Sequence, residues 1–134
     1  MLVLDASALV KRYVQEAGTD DVVALMASDS GWCASALCRA ETHVTLCHRG
    51  FEEAVQQGLA RSLEADWEHF VVVPVDDLCL ARAAEIGCDR RSRTLDAIHL
   101  AAADRLPRPF TFVTFDVRQA EGARSLGFEV AGVE

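Results

Sequence analysis

The sequence predicts an α/β fold three layers deep, with helices on both faces of a central parallel sheet. Three observations point there. Short apolar runs (Leu2-Val3-Leu4, Phe70 to Val75, Thr111 to Phe115) alternate with stretches of helical period. Leu2-Val3-Leu4 and Phe70 to Val75 are almost wholly apolar, as strands covered on both faces are. Turn and cap residues separate the segments, with no linker, low-complexity stretch or internal repeat, so a single domain over residues 1–134 is expected.

Leu2-Val3-Leu4 ends at Asp5, and Ser7 is placed to cap a helix that starts at Ala8 and closes at Gly18. Thr19 caps the next helix, which carries Val22, Val23, Leu25 and Met26. Gly31 to Ser35 reads as a weak second strand. A helical stripe at Leu37, Ala40, Val44 and Cys47 is the expected inner face of a third helix, stopped by Gly50. Another helix runs from Phe51 to about His69, with Val55, Leu59 and Leu63 as its inner edge. Phe70 to Val75, rich in β-branched residues, is the clearest strand. A helix from Asp76 to Ile86 ends at Gly87, and Thr94 caps one from Leu95 to Arg105, broken by Pro107 and Pro109. Thr111 to Phe115 is a buried strand ending at Asp116. A last helix stops near Gly127, and Phe128-Glu129-Val130 closes the sheet.

No apolar run approaches the roughly 20 residues of a membrane span. The start, Met1-Leu2-Val3-Leu4-Asp5, lacks the basic and long apolar segments of a signal peptide. Cys33, Cys38, Cys47, Cys79 and Cys88 are odd in number and form no C-x-x-C pair; Cys38 and Cys47 fall on an apolar helical pattern. Reduced structural thiols and a cytoplasmic location are the expectation, and a zinc site is not. The net charge of −8 opposes phosphate binding unless the basic residues cluster. Twelve of the thirteen are arginine, and Arg90, Arg91 and Arg93 crowd into one tetrapeptide, a candidate phosphate patch whose plainer reading is a solvated loop.

In open parallel sheets, sites form beyond the carboxyl ends of the strands. Asp5 and Asp116 each follow an apolar strand, Asp96 lies in the first turn of its helix, and Glu41 lies one turn into the Leu37 helix, beside its stripe. Each acid also has a modest role open to it: a turn residue for Asp5 and Asp116, a helix-dipole partner for Asp96, an ion pair with Arg39 for Glu41. Four acids at one edge nevertheless repel one another, and their motifs supply no evident basic partner. A divalent cation is the simplest remedy. The glycine-rich phosphate loops are absent, as is the serine elbow of hydrolases. A phospho-receiver would need a second acid next to Asp5, and Ala6-Ser7-Ala8 has none. His43, His48, His69 and His99 are scattered; His99, one turn after Asp96, is placed to assist it, although a packed or surface residue is the plainer reading. Carboxylate oxygens without His or Cys suit Mg²⁺ or Mn²⁺, ions that can activate a water against a phosphodiester. Ser7 and Thr114 are hydroxyls beside the acids, suited to water or phosphate contacts or to simple cap and strand roles.

Leu4-Asp5-Ala6-Ser7-Ala8-Leu9-Val10 resembles the opening of PIN domains, in particular the VapC-type toxins of bacterial toxin–antitoxin systems. Ala40-Glu41 resembles their second acid and Leu95-Asp96-Ala97-Ile98-His99-Leu100-Ala101 their third, the most specific of the set. Val113-Thr114-Phe115-Asp116, a short helix and Gly127-Phe128-Glu129-Val130 resemble their fourth acid and closing strand. The similarity runs through essentially the whole chain in order; Phe115 is bulkier than the residue often found there, and Thr42-His43 replaces a more apolar pair. The resemblance implies a PIN-like fold and a Mg²⁺- or Mn²⁺-dependent endoribonuclease that cuts structured RNA, often tRNA or ribosomal RNA. It also implies a homodimer and a cognate antitoxin protein whose C-terminal segment enters the acidic groove. By the same resemblance Asp5 and Asp96 are direct metal ligands and Asp116 a ligand, direct or through water. Glu41 acts behind them or on the attacking water. Arg90, Arg91 and Arg93 then hold RNA phosphates, and Val10, Tyr13 and Val14 offer an antitoxin a docking surface unless they are core. A catalytically idle PIN-like module that binds RNA or protein is the alternative, and intact acids at all four positions weigh against it.

Overall fold

Five parallel strands, β1 (Leu2–Leu4), β2 (Trp32–Ser35), β3 (Val71–Val73), β4 (Thr111–Thr114) and β5 (Glu129–Gly132), pair in the order β3-β2-β1-β4-β5 in the computed structural model, which describes residues 1–133. The chain winds outward from β1 to β3, then returns to the other side of β1 with β4. That reversal opens a crevice at the carboxyl ends of β1 and β4, where Leu4 stands opposite Val113.

Successive strand residues point to opposite faces, and the core divides accordingly. Leu2, Leu4, Ala34 and Val113 pack against the layer made by α1 (Ala6–Leu9), α2 (Thr19–Ser28), α3 (Ala36–His48) and α4 (Glu53–Trp67). Val3, Cys33 and Phe112 pack against α5 (Asp77–Arg90), α6 (Thr94–Asp104) and α7 (Val117–Ser125). The three-layer α/β/α arrangement expected from the sequence is therefore present. Residues Ala97 to Ala103 of α6 are buried without a break, so this short helix forms the centre of its layer.

Several local expectations change. Asp5, not Ser7, caps α1 by accepting from the Ala8 N–H at 3.1 Å, since the extended backbone at the strand end already aims its carboxylate at the helix. That helix gives way to a 3₁₀ turn at Val10–Arg12 well before Gly18. Gly18 instead opens α2 at φ +92°, and a Cβ there would lie 2.6 Å from the Phe115 ring, so the position requires glycine. Thr19 is the first residue of α2, its hydroxyl donating to the Val14 carbonyl at 2.9 Å. In α3 the buried stripe is Cys38, Thr42 and Leu46, while Ala40, Val44 and Cys47 face outward. Two overlapping stripes exist in that segment, and the inner one is masked by Thr42, whose hydroxyl stands 3.9 Å from the Cys38 sulfur. Of the expected α4 edge only Leu63 is buried; Val55 is about half exposed.

The clearest strand, β3, is only three residues long and forms one edge of the sheet, with Val71 and Val72 exposed. Strand propensity reports a fit to a pleated surface, not centrality, and Pro74, without an N–H, ends the pairing. The α5 helix carries Gly87 inside it and runs on to Arg90, while Arg93 rather than Thr94 holds the N-cap position of α6. The last strand is displaced to Glu129–Gly132. Val10 and Val14 are buried with Leu46, so they are core and offer no docking surface. All five cysteines are free, and Cys47 is exposed rather than packed. Among the described residues no helix is long and apolar enough to cross a membrane.

Candidate active site

The β1 and β4 ends carry the first and last acids into the crevice, and α3 and α6 bring the other two. Asp5, Glu41, Asp96 and Asp116 all line one cleft of about 420 Å³. The sequence singled out all four, and the structure brings all four together.

Asp5 is only 5% exposed. Its Oδ1 accepts from the Ser7 hydroxyl at 2.6 Å and the Ala8 N–H at 3.1 Å, and its Oδ2 from the Thr114 hydroxyl at 2.5 Å. Burial pushes this carboxyl above its usual range, against the opposing pull of Ser7, Thr114 and the nearby His99. Both hydroxyls also accept: Ser7 from the Phe115 N–H at 2.9 Å, Thr114 from the Asp116 N–H at 3.2 Å. They stitch the turn after β1 to the turn after β4 and orient Asp5, so neither is a free contact for water or phosphate.

Asp116 caps α7, its Oδ1 accepting from the Gln119 N–H at 3.1 Å. The Gln119 side chain donates to the Asp96 carbonyl at 3.0 Å, which locks α6 to α7 and sets the spacing of these two acids. Contrary to expectation, they have a basic partner. Arg93 places Nε 3.3 Å from Asp96 and Nη2 3.9 Å from Asp116. Of the predicted patch, Arg93 alone reaches the acidic cleft; Arg90 and Arg91 line an adjoining one.

Glu41 does not pair with Arg39, which binds Glu64. Its Oε1 lies 2.6 Å from His99 Nε2, and His99 Nδ1 lies 3.2 Å from the Ser35 hydroxyl. His99 is buried, as its packed reading required, yet it also links the acid to the end of β2. Its i+3 spacing from Asp96 places the two on one helix face, as the assisting role open to it in the sequence requires, while its contacts with Glu41 and Ser35 carry no sequence signal. Lys11, Glu16 and Arg49 also reach the cleft, and no motif marked them. Among the described residues no three acidic, histidine or cysteine side chains form a closed group of metal ligands. Among the described residues Glu41 Oε2 and Asp96 Oδ1 have no hydrogen-bond or ion-pair partner, and Asp116 Oδ2 faces only the Arg93 guanidinium at 3.9 Å; these are the oxygens best placed to meet an ion or its waters.

A parallel sheet with four acids gathered at its switch point defines the class: an α/β protein with an acidic cleft between β1 and β4. The chain belongs to the PIN domain family, whose model matches residues 2–125. It is similar to Ribonuclease VapC47 of Mycobacterium tuberculosis, with 32% identity over 98% of this chain and 96% of that protein. Among solved structures it resembles FitAcB from Neisseria gonorrhoeae (TM-score 0.77, 20% identity, 97% of this chain and 96% of that one). It also resembles a toxin–antitoxin complex from Klebsiella pneumoniae (TM-score 0.71, 16% identity, 98% and 96%). At those identities the structural likeness establishes the fold.

Proposed function

We propose that the chain is a divalent-metal-dependent endoribonuclease, the toxin of a toxin–antitoxin pair. The convergence of Asp5, Glu41, Asp96 and Asp116 on one cleft carries this reading, and the similarity to a protein named as a ribonuclease supports RNA as the substrate. Asp5, Asp96 and Asp116 would hold Mg²⁺ or Mn²⁺. The donors fit such an ion: they are oxygens only, partly uncommitted, in an open cleft that suits a cation retaining several waters. A cation would also relieve the burial penalty on Asp5. When bound, it supplies an activated water and neutralises charge on the phosphodiester.

The protein side chains do the rest. Glu41, held by His99, orients the attacking water and takes its proton. Ser7 and Thr114 keep Asp5 aimed into the cleft. Arg93 leaves the carboxylates for a phosphate oxygen, while Arg90 and Arg91 follow the RNA backbone. A homodimer, a cytoplasmic location, tRNA or ribosomal RNA as the target and a cognate antitoxin belong to the same reading, supported by the resemblance to VapC-type toxins. With Val10 and Val14 in the core, antitoxin docking passes to the groove lined by Tyr13, Val23 and Leu59.

One observation favours the alternative of an idle PIN-like binding module: the absence, among the described residues, of a closed ligand group. RNA cleavage in Mn²⁺ and in EDTA, by wild type and Asp96→Asn, separates the two. Cutting in Mn²⁺ alone is expected, with a loss in the variant exceeding the roughly 10- to 100-fold typical of a supporting residue. Robust cutting in EDTA, or by the variant, would overturn the metal-dependent reading, and no cutting at all would favour the idle module.

A further inference from the structure

The basic residues of this chain are mostly neutralised. Arg12, Arg39, Arg49, Arg82, Arg105 and Arg108 each hold a carboxylate. That is the ordinary fate of a cation in a chain of net charge −8. Arg90, Arg91 and Arg118 escape it: among the described residues none of them forms an ion pair, and the three line one cleft of about 500 Å³. Among the described residues Arg61 and Arg124 also lack an acid partner, and neither lines this cleft. Asp89 and Glu121 share its rim without pairing to the arginines, which leaves four guanidinium groups facing three carboxylates once Arg93 and Asp96 are included.

Two further features suggest a built site rather than a chance cluster. Arg91 sits at the end of α5 with φ +52°, in left-handed backbone where glycine or asparagine is at ease. An arginine in that place holds its side chain over the cleft at a cost in backbone strain. Arg90 donates to the Ser125 carbonyl at 3.3 Å, which ties α5 to the end of α7 across the cleft. The cleft also adjoins the acidic one, since Arg93 and Asp96 line both. Arg118 stands two residues after Asp116, in the first turn of α7. No sequence pattern joined it to the Arg90–Arg93 run, because the two meet only in three dimensions.

We infer that this second cleft is a phosphate-binding subsite that holds the RNA backbone next to the bond being cut, with Arg91 and Arg118 as its main contacts. The identity of the ligand rests on the nuclease reading of the neighbouring acids. Guanidinium groups match phosphate oxygens in a forked geometry, and with no aromatic side chain lining the cleft the contact is to backbone rather than to bases. Arg93, shared by both clefts, marks where the strand passes from one to the other.

The test is binding of a fluorescein-labelled single-stranded RNA 12-mer, followed by anisotropy in EDTA over a range of salt. It compares wild type, the double variant Arg91→Gly/Arg118→Ala, and Arg61→Ala as a lone unpaired arginine elsewhere. Glycine is used at position 91 because it accepts the left-handed backbone. The double variant is expected to bind roughly tenfold more weakly, with its log K against log salt slope shallower by about 1.4, or about 0.7 per lost contact. Arg61→Ala is expected to match wild type. An unchanged slope in the double variant, or an equal loss in Arg61→Ala, would overturn the subsite. Because nothing need be cut in this measurement, it reads the subsite apart from catalysis. Weakened binding in the double variant, with no metal-dependent cutting by wild type, would refute the nuclease reading alone.

Discussion

The two walls of the acidic cleft are built on opposite principles. On the inner wall Asp5 is almost wholly buried and every oxygen is hydrogen-bonded, and His99 is held between Glu41 and Ser35. On the outer wall the side chains of Asp96 and Asp116 are about a third exposed, and they share Arg93, itself 77% exposed. A buried network that is fully satisfied is rigid, and it keeps its geometry at the cost of desolvation. An exposed ion pair is worth about 0–1 kcal/mol and rearranges easily. The inner wall is thus preorganised. The outer wall is free to rearrange, and among the described residues the four converging acids form no closed ligand group.

Asp5→Asn tests this contrast most severely. An asparagine keeps one acceptor toward Ser7 and the Ala8 N–H, and its amide can donate to Thr114, whose hydroxyl serves in either sense. Activity should be lost while the metal-free protein gains about 1 kcal/mol, a rise in Tm of about 4 °C in calorimetry. A less stable variant would mean that Asp5 carries no desolvation cost. His99→Phe comes next, with kcat down about 10- to 100-fold and the KM for RNA little changed. His99→Gln, whose amide nitrogen reaches the place of Nε2, should restore most of the rate. Equal damage from both substitutions would reduce His99 to packing.

Smaller effects follow at the edges of the network. Thr114→Val preserves shape but strips Asp5 of one donor and the Asp116 N–H of its acceptor, and should cost about 1–3 kcal/mol in urea unfolding. Glu16, at the outer rim, is held below its ordinary value of 4.5 by Arg49 first and Lys11 second. Its pairing therefore stabilises the fold fully above about pH 4.5, and that support fades as the pH falls through the lowered folded value. Glu16→Gln should lower stability by about 0–1 kcal/mol at pH 7, with the gap to wild type closing toward pH 3. A gap that widens on acidification would contradict the pairing.

How much of this was legible in the sequence follows from range. Strands and acids that owe their place to local signals were readable: an apolar run ending in Asp5 or Asp116 predicts both a parallel strand and a side chain at its carboxyl end. The inner face of α3 was not, because a threonine sits in the true stripe and only tertiary packing selects between two candidate faces. Nor was the edge position of β3, since β-branching reports strand character and not neighbours. At the site, Asp5, Glu41, Asp96 and Asp116 were found by motif. The Ser35–His99–Glu41 chain and the company Arg118 keeps with Arg91 were missed, as each depends on residues from separate elements meeting in space.

The sharing of one cation by these carboxylates is tested most directly by calorimetric titration of wild type, Asp5→Asn and Asp96→Asn with Mn²⁺. Saturable binding to wild type is expected, weakened at least roughly 10- to 100-fold in each variant. Binding of equal strength in all three proteins would contradict it.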